Sequence, residues 1–167
     1  MGEVLTTFAY WLRSTPVSEA IRIQPWLWPV SEIVHFVGLS VLIGTAGFFD
    51  LRLLGFLKDR VSLHSAHDLL SWAKVGFGLC AVTGAIFLLG APDQYANNIA
   101  FYGKVVFLII ALANAQFFET AYGARIAEVP LGAEAPGVFK FIAIMSLVSW
   151  AMVMYWGRML PFIGNAF

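Results

Sequence analysis

The 167-residue chain is too apolar and too sparsely charged to be a soluble domain. Apolar residues make up 60% of it and charged residues 12%, against roughly half and about a quarter in soluble proteins. Ten Lys and Arg balance ten Asp and Glu, which excludes the basic surface that a nucleic-acid partner needs. The single cysteine, Cys80, excludes an intrachain disulfide and a cysteine-cluster metal site, and is expected to pack as a small apolar residue.

Residues 1–25 are predicted to form one or two amphipathic helices in the membrane interface. Apolar residues recur at helical spacing, at Leu5, Phe8, Trp11 and Leu12. Thr15-Pro16 restarts a short helix, with Glu19 in its first turn. An ordered tail packed on the bundle is the alternative. The first residues lack the basic patch and apolar run of a cleavable signal peptide, so the first span is expected to act as its own insertion signal.

Four uncharged stretches are predicted to cross the membrane as helices. Each holds fourteen to eighteen residues between charged positions and, with its flanks, reaches the roughly 20 residues that a bilayer crossing requires. The spans are placed near 29–53, 67–90, 100–122 and 138–160. The expected fold is all-α: residues 1–167 form a single membrane domain, an integral membrane four-helix bundle with an N-terminal interfacial amphipathic helix. The lipid bilayer is its first expected partner.

The basic residues predict how the chain is oriented. Six of them lie on the side that holds the two longer loops: Arg52, Lys58, Arg60, Lys74, Arg125 and Lys140. Four lie on the other side: Arg13, Arg22, Lys104 and Arg158. The richer side is expected to be cytoplasmic. The expected location is therefore the bacterial inner membrane, multi-pass, with both termini extracytoplasmic.

Small residues repeat every four positions on three of the spans. The repeats are Gly76, Cys80 and Gly84 on the second, Ser40 and Gly44 on the first, and Ala111 and Ala115 on the third. Such repeats let membrane helices approach closely. They are predicted to be packing faces.

His35 is the principal candidate for a ligand within a span. It lies roughly 9 Å below the outer start of its helix, at 1.5 Å per residue, where imidazole can serve as an axial heme ligand, a metal ligand or a proton carrier. Gly38, one turn on, is expected to leave room for a flat macrocycle. Glu32 shares the face of His35, as in carboxylate-histidine metal sites. The alternative is a histidine satisfied by Glu32 or a backbone carbonyl.

His64 and His67 form a second candidate pair. Three residues apart, they share a helix face, so they cannot bind opposite sides of one heme. They would ligate two different groups or share one metal ion. The alternative is a polar helix start with Ser62 or Ser65 near the cap and Asp68 balancing the charge.

Depth separates the two histidine sites. His35 and His67 are on the order of 20 Å or more apart along the membrane normal at 1.5 Å per residue, so one heme cannot bridge them. Two hemes would each need another ligand. Met152, in a heptad repeat with Met145 and Met159, offers a thioether for heme or Cu(I), or simply packs in the core. A symmetric homo-oligomer that shares a cofactor is a further alternative.

Charged residues at the span ends are candidates for holding heme propionates. Arg52, Lys104 and Arg158 supply the cations. The alternative for Asp50-Leu51-Arg52 is boundary anchoring, in which Asp50 meets Lys74 and Arg52 meets Glu119 or a lipid phosphate.

One segment carries a family resemblance. Its residues are Asp50-Leu51-Arg52-Leu53-Leu54-Gly55, together with Trp11-Leu12-Arg13-Ser14, the Glu32-x-x-His35 helix, and Phe101 to Lys104 leading into Ala113-Asn114. The chain thereby resembles small bacterial four-helix integral membrane proteins of unassigned function that carry this Asp-Leu-Arg-Leu-Leu-Gly signature after their first span. More distantly it is similar to four-helix b-type cytochromes and copper-resistance membrane proteins, a resemblance that implies heme b or copper.

Three functions are compatible with these patterns. The first is a b-type cytochrome-like redox protein with heme b in the bundle, copper as a further candidate metal, and a redox protein or quinone as electron partner. The second is a small proton-coupled permease with a polar path of Glu32, His35, Lys74, Lys104 and Glu119. The third is an accessory subunit of a larger complex. No nucleophile elbow, zinc-protease motif or phosphate loop occurs, so electron transfer is expected rather than stand-alone catalysis.

Overall fold

A computed structural model describes residues 2–163, with side chains from residue 5 onward. Over this range the chain is helical and has no strand. The helices are α1 Gly2–Arg13, α2 Pro16–Arg22, α3 Leu27–Leu53, α4 Leu63–Asp68, α5 Leu70–Gly90, α6 Pro92–Ala96, α7 Ile99–Tyr122 and α8 Gly137–Met159, with a 3₁₀ helix Gly123–Glu128 after α7.

Four helical segments are long and apolar enough to cross a membrane. They are Leu27–Leu53, Leu63–Gly90, Ile99–Glu128 and Gly137–Met159. The prediction of an all-α fold with four helices that could cross a membrane is therefore confirmed. The second segment begins before residue 67 because α4 precedes α5 and is capped by Ser62, whose hydroxyl accepts the N–H of Ser65 at 3.0 Å.

The two N-terminal helices dock on one end of the bundle. Thr15 caps α2, accepting the N–H of Ser18 at 3.3 Å, and proline opens the helix without losing a hydrogen bond. α1 packs against α6 and α2 against α5, and Arg13 forms an ion pair with Asp93. We call this end, which carries α6, the α6 end, and the opposite one the α4 end.

Two antiparallel hairpins make up the bundle. α3 pairs with α5, α7 pairs with α8, and the hairpins meet where α3 packs on α8. The α3–α5 crossing is tight: a Cβ added to Gly76 would lie 2.6 Å from the carbonyl oxygen of Gly38. Gly103 allows a similar approach of Trp156. Each hairpin is thus locked by a glycine that admits its neighbour.

The small-residue repeats only partly mark these contacts. Gly76 and Cys80 lie on the α3–α5 contact, but a Cβ added to Gly44 or Gly84 would meet nothing within 4 Å. Ala115 is exposed. The prediction of packing faces along the full repeats is therefore wrong, because two crossing helices approach closely over only a turn or two.

The α4 end holds an aromatic cluster at the centre of the larger apolar core. It comprises Phe49, Phe118, Tyr122 and Phe139. The ring centroids of Phe118 and Phe139 are 5.3 Å apart, and those of Phe49 and Phe118 are 5.5 Å apart, both edge to face. Such pairs bury large apolar area in a fixed geometry. This cluster joins α3, α7 and α8 into one unit.

Candidate functional site

The His35 ring is held by a hydroxyl on the neighbouring helix. Its Nδ1 lies 2.7 Å from Oγ1 of Thr83 on α5. The Thr83 hydroxyl also lies 2.7 Å from the carbonyl oxygen of Leu79, to which it donates. A hydroxyl has only one proton to donate. Because the Thr83 hydroxyl donates its proton to the carbonyl oxygen of Leu79, its oxygen accepts a hydrogen bond from Nδ1–H of His35. The geometry thus favours the tautomer in which Nε2 keeps its lone pair.

The surroundings of His35 come from three helices. Cys80 on α5 donates its thiol to the carbonyl oxygen of His35 over 3.5 Å, and the edge of Phe87 packs on the ring with centroids 5.6 Å apart. The Lys104 ammonium on α7 lies within electrostatic range of both the ring and the thiol. We call His35, Cys80, Thr83 and Lys104 the His35 site. Nε2 has no hydrogen-bond partner within the described range.

Glu32 does not join this site. Its carboxylate is exposed and accepts the indole N–H of Trp28 at 3.1 Å. On α6, burial raises the pKa of Tyr95, and the nearby charge of Glu32 raises it further. Glu32 therefore belongs to an aromatic rim above His35, and the two residues predicted to share a metal have different partners.

Gly38 does not provide room for a macrocycle. A Cβ added there would lie 2.9 Å from both the carbonyl oxygen of Gly76 and Cβ of Leu79. The backbone of α5 fills this space, so the prediction of a cradle at Gly38 is wrong. Because Gly38 has no side chain, helix α5 packs directly against it, and no space is left there for a cofactor.

The other two histidines lie at the α4 end with separate partners. Nε2 of His67 is 2.9 Å from the Glu119 carboxylate on α7, and its ring packs edge-on against Phe49 at 5.6 Å. His64 is exposed and lies 3.8 Å from Asp68 one turn on. The structure does not bring His64 and His67 to a common ligand.

The Arg52 side chain is buried and bound to backbone. It is 1% exposed, and its Nε donates to the carbonyl oxygen of Val61 at 2.5 Å while Nη2 donates to that of Lys58 at 3.4 Å. The guanidinium therefore caps the loop between α3 and α4. The expected partner Glu119 is bonded to His67 instead.

The remaining predicted residues are dispersed over the bundle. Lys74 is exposed, away from the expected contact with Asp50. Arg158 is exposed at the α6 end and lies over the Phe162 ring at 5.1 Å. Met152 is partly buried on α8. Lys104 is thus the predicted cation that lies near His35.

Sequence reasoning missed Thr83 and the partners of Asp50. Thr83 is the only residue with a hydroxyl group in the uncharged run 75–92. A single polar residue in an apolar span could have been predicted to bind a polar group on a neighbouring helix. Asp50 is 4% exposed and faces Ser146 on α8. Nothing local in the sequence indicates which helix covers it.

The donor set limits what the site can hold. Among residues 2–163, no group of three or more His, Cys, Asp or Glu side chains is arranged to bind a metal ion. A cofactor that brings most of its own ligands needs only the single imidazole nitrogen that His35 offers. No protein-family model matches the chain, and no curated protein or solved structure matches it either.

Proposed function

We propose that this protein is a membrane electron carrier that holds heme b at the α6 end of its bundle with His35 as axial ligand. The observation that carries the proposal is the 2.7 Å contact between Nδ1 of His35 and the Thr83 hydroxyl. A histidine that donates one ring N–H to an oxygen presents its other nitrogen to a metal. Heme, when bound, supplies one-electron redox chemistry.

The residues around His35 suit a flat anionic cofactor. Lys104 brings a positive charge to the same level, where it would neutralise a propionate. Among the described helices the two hairpins join mainly through α3 and α8, and few backbone contacts join α5 to α7. We assign the cofactor to the α5–α7 side, since the face at Gly38 is filled.

The second axial position falls to Met152 or to a second copy of the chain. Met152 lies on α8, which packs against both α3 and α7. Imidazole with thioether is an established pair of heme ligands. In a homo-oligomer, a symmetry-related helix would take that position instead.

The histidines at the α4 end have other roles in this proposal. Nε2 of His67 is engaged with Glu119, and His64 is exposed beside Asp68. We therefore propose one heme per chain rather than two. Copper has less support, because Glu32 and His35 have different partners.

We propose that α1 lies in the extracytoplasmic interface of a bacterial inner membrane, with both termini on that side. Its Phe8 and Trp11 side chains are 54% and 60% exposed, while Thr6 accepts a hydrogen bond from Asn97 and Arg13 pairs with Asp93. The polar face thus docks on the protein and the aromatic face is left for lipid. The basic residues at the α4 end support the orientation, and three of them are exposed: Arg60, Lys74 and Arg125.

The test is an absorption spectrum of detergent-purified protein from heme-replete cells, air-oxidised and dithionite-reduced, with pyridine hemochrome quantitation. We expect a Soret band and a reducible α band that disappear in His35→Ala and persist in the control His64→Ala. Met152→Leu should alter the bands if the thioether is the second ligand. A colourless, heme-free preparation would overturn the proposal and leave the permease or accessory-subunit functions.

A finer variant tests the contact that carries the proposal. Thr83→Val removes the acceptor for Nδ1–H and should shift the heme reduction potential while heme remains bound. Thr45→Val is the matched control, because the Thr45 hydroxyl donates within its own helix to Val41 at 2.7 Å. Equal potentials in wild type and Thr83→Val would contradict the role of Thr83 as a positioning residue.

A further inference from the structure

Asp50 is a buried carboxyl group with an unsatisfied oxygen. The residue is 4% exposed and lies on α3 where that helix packs on α8. Its Oδ2 is buried without a hydrogen-bond partner among the described residues, and Ser146 on α8 is a neighbouring hydroxyl residue. The flanking Phe49 and the nearby Leu53 belong to the apolar core. A carboxyl group in this position has lost almost all contact with solvent.

No cation on the surrounding elements compensates this group within the described part of the chain. On its own helix, the Arg52 guanidinium donates to the loop carbonyls of Lys58 and Val61. From α4, His67 is bonded to Glu119.

The remaining helices place their charges elsewhere. On α8, Lys140 pairs with Glu134 beyond the helix start, and Arg158 is exposed at the opposite end. On α5, Lys74 is exposed, and on α7, Lys104 belongs to the His35 site.

We propose that Asp50 is a proton-binding site, a carboxylic acid buried between α3 and α8 next to Ser146. An ionised carboxylate buried without a cation is strongly disfavoured, and binding one proton removes the charge. A protonated carboxyl group has an O–H donor and a carbonyl acceptor, so it can either donate a hydrogen bond to a hydroxyl or accept one from it. This site is independent of the heme proposal, since it lies at the α4 end and uses none of the residues around His35.

The experiment is infrared spectroscopy of the full-length protein in membranes at neutral pH, with and without aspartate labelled with ¹³C at the side-chain carboxyl. A protonated acid shows a carbonyl stretch separate from the amide and carboxylate bands. The chain has four aspartates, Asp50, Asp59, Asp68 and Asp93. We expect one acid band that moves on labelling, is lost in Asp50→Asn and persists in the exposed control Asp68→Asn.

Ser146→Ala keeps the test decisive if Asp50→Asn does not fold. It removes one hydroxyl and should raise the frequency of the same band, because a hydrogen-bonded carbonyl absorbs at lower frequency than a free one. A shift on transfer to heavy water would show that the proton exchanges. The absence of a label-sensitive acid band in wild-type protein at neutral pH would overturn the proposal, whatever the heme content of the preparation.

Discussion

The two ends of the bundle hold their polar groups in different ways. At the α4 end, Arg52 is 1% exposed and donates to carbonyl oxygens of its own hairpin loop. At the α6 end, His35 is positioned by Thr83 on another helix, and one of its ring nitrogens is not used by the described residues. A donor bound to backbone stabilises the fold, whereas a spare lone pair is what a ligand site requires. We therefore regard Arg52 as part of the structural frame of the bundle, whereas the His35 site has the unused ring nitrogen on which the heme proposal depends.

The largest expected effect on stability is at Arg52. Arg52→Met keeps most of the side-chain volume but leaves the carbonyl oxygens of Val61 and Lys58 without their donor. Charge-assisted hydrogen bonds contribute about 1.5–3 kcal/mol each, so we expect a loss of about 3 kcal/mol. The measurement is the Tm in detergent. Arg60→Met, at an exposed position, is the control, and equal Tm values for the two variants would show that Arg52 does not hold the frame.

A smaller effect is expected at the crossing of α3 and α5, which supports both ends. In Gly76→Ala the new Cβ would lie 2.6 Å from the carbonyl oxygen of Gly38 and 2.7 Å from the backbone nitrogen of Leu42. Both are backbone atoms, so the helices must separate, at a cost of about 1–3 kcal/mol.

Gly78→Ala is the matched control on the same helix. A Cβ there would meet nothing within 4 Å, and alanine favours a helix over glycine by about 0.5–1 kcal/mol. Thermal unfolding should therefore place Gly76→Ala below wild type and Gly78→Ala at or above it. A stable Gly76→Ala protein would show that the close crossing is not required.

The smallest effect is expected at the surface of the α4 end. Glu134 bonds to Lys140 and, at 3.2 Å, to Lys58, joining the loops before α4 and before α8. These lysine contacts, that of Lys140 foremost, hold the pKa of the Glu134 carboxyl below its usual range. A lowered pKa in the folded state means that the stabilisation is present at neutral pH and is lost as the pH falls through the folded-state pKa.

At neutral pH, Glu134→Gln should therefore exchange the amide hydrogens of the loop 129–136 faster than wild type and should have a slightly lower Tm. In acid, the Tm values of the two proteins should become equal. Glu128→Gln, an exposed carboxylate, serves as the control. A Tm difference that persists at low pH would mean that Glu134 does not stabilise the two loops through its ionised carboxylate.

Local features of the fold were accessible from the sequence. The four apolar segments follow from length and hydropathy alone. Helix α2 begins after Thr15 and helix α4 after Ser62, because each of these side chains caps its own helix. Each of these features depends on residues within a few positions of one another.

The candidate site was accessible only in part. His35 and Lys104 stand out as ionisable residues within apolar runs, and they do lie near each other. Neither Thr83 nor the filled space above Gly38 could be derived, because both depend on the face that α5 turns toward α3. The partners predicted for Glu32 and Arg52 were wrong for a different reason, because both side chains bind groups close to them in the chain: Glu32 binds Trp28 on its own helix, and Arg52 binds the loop after α3.

The sequence by itself determined that the chain forms four apolar helices and roughly where they lie, because hydropathy acts locally. Only the tertiary structure decided how each helix is rotated about its own axis. The apolar residues of α3 and α5 are spread around each helix, so no amphipathic face specifies their orientation. The close backbone approach at the Gly38–Gly76 crossing sets it instead, and that crossing brings His35 to Thr83.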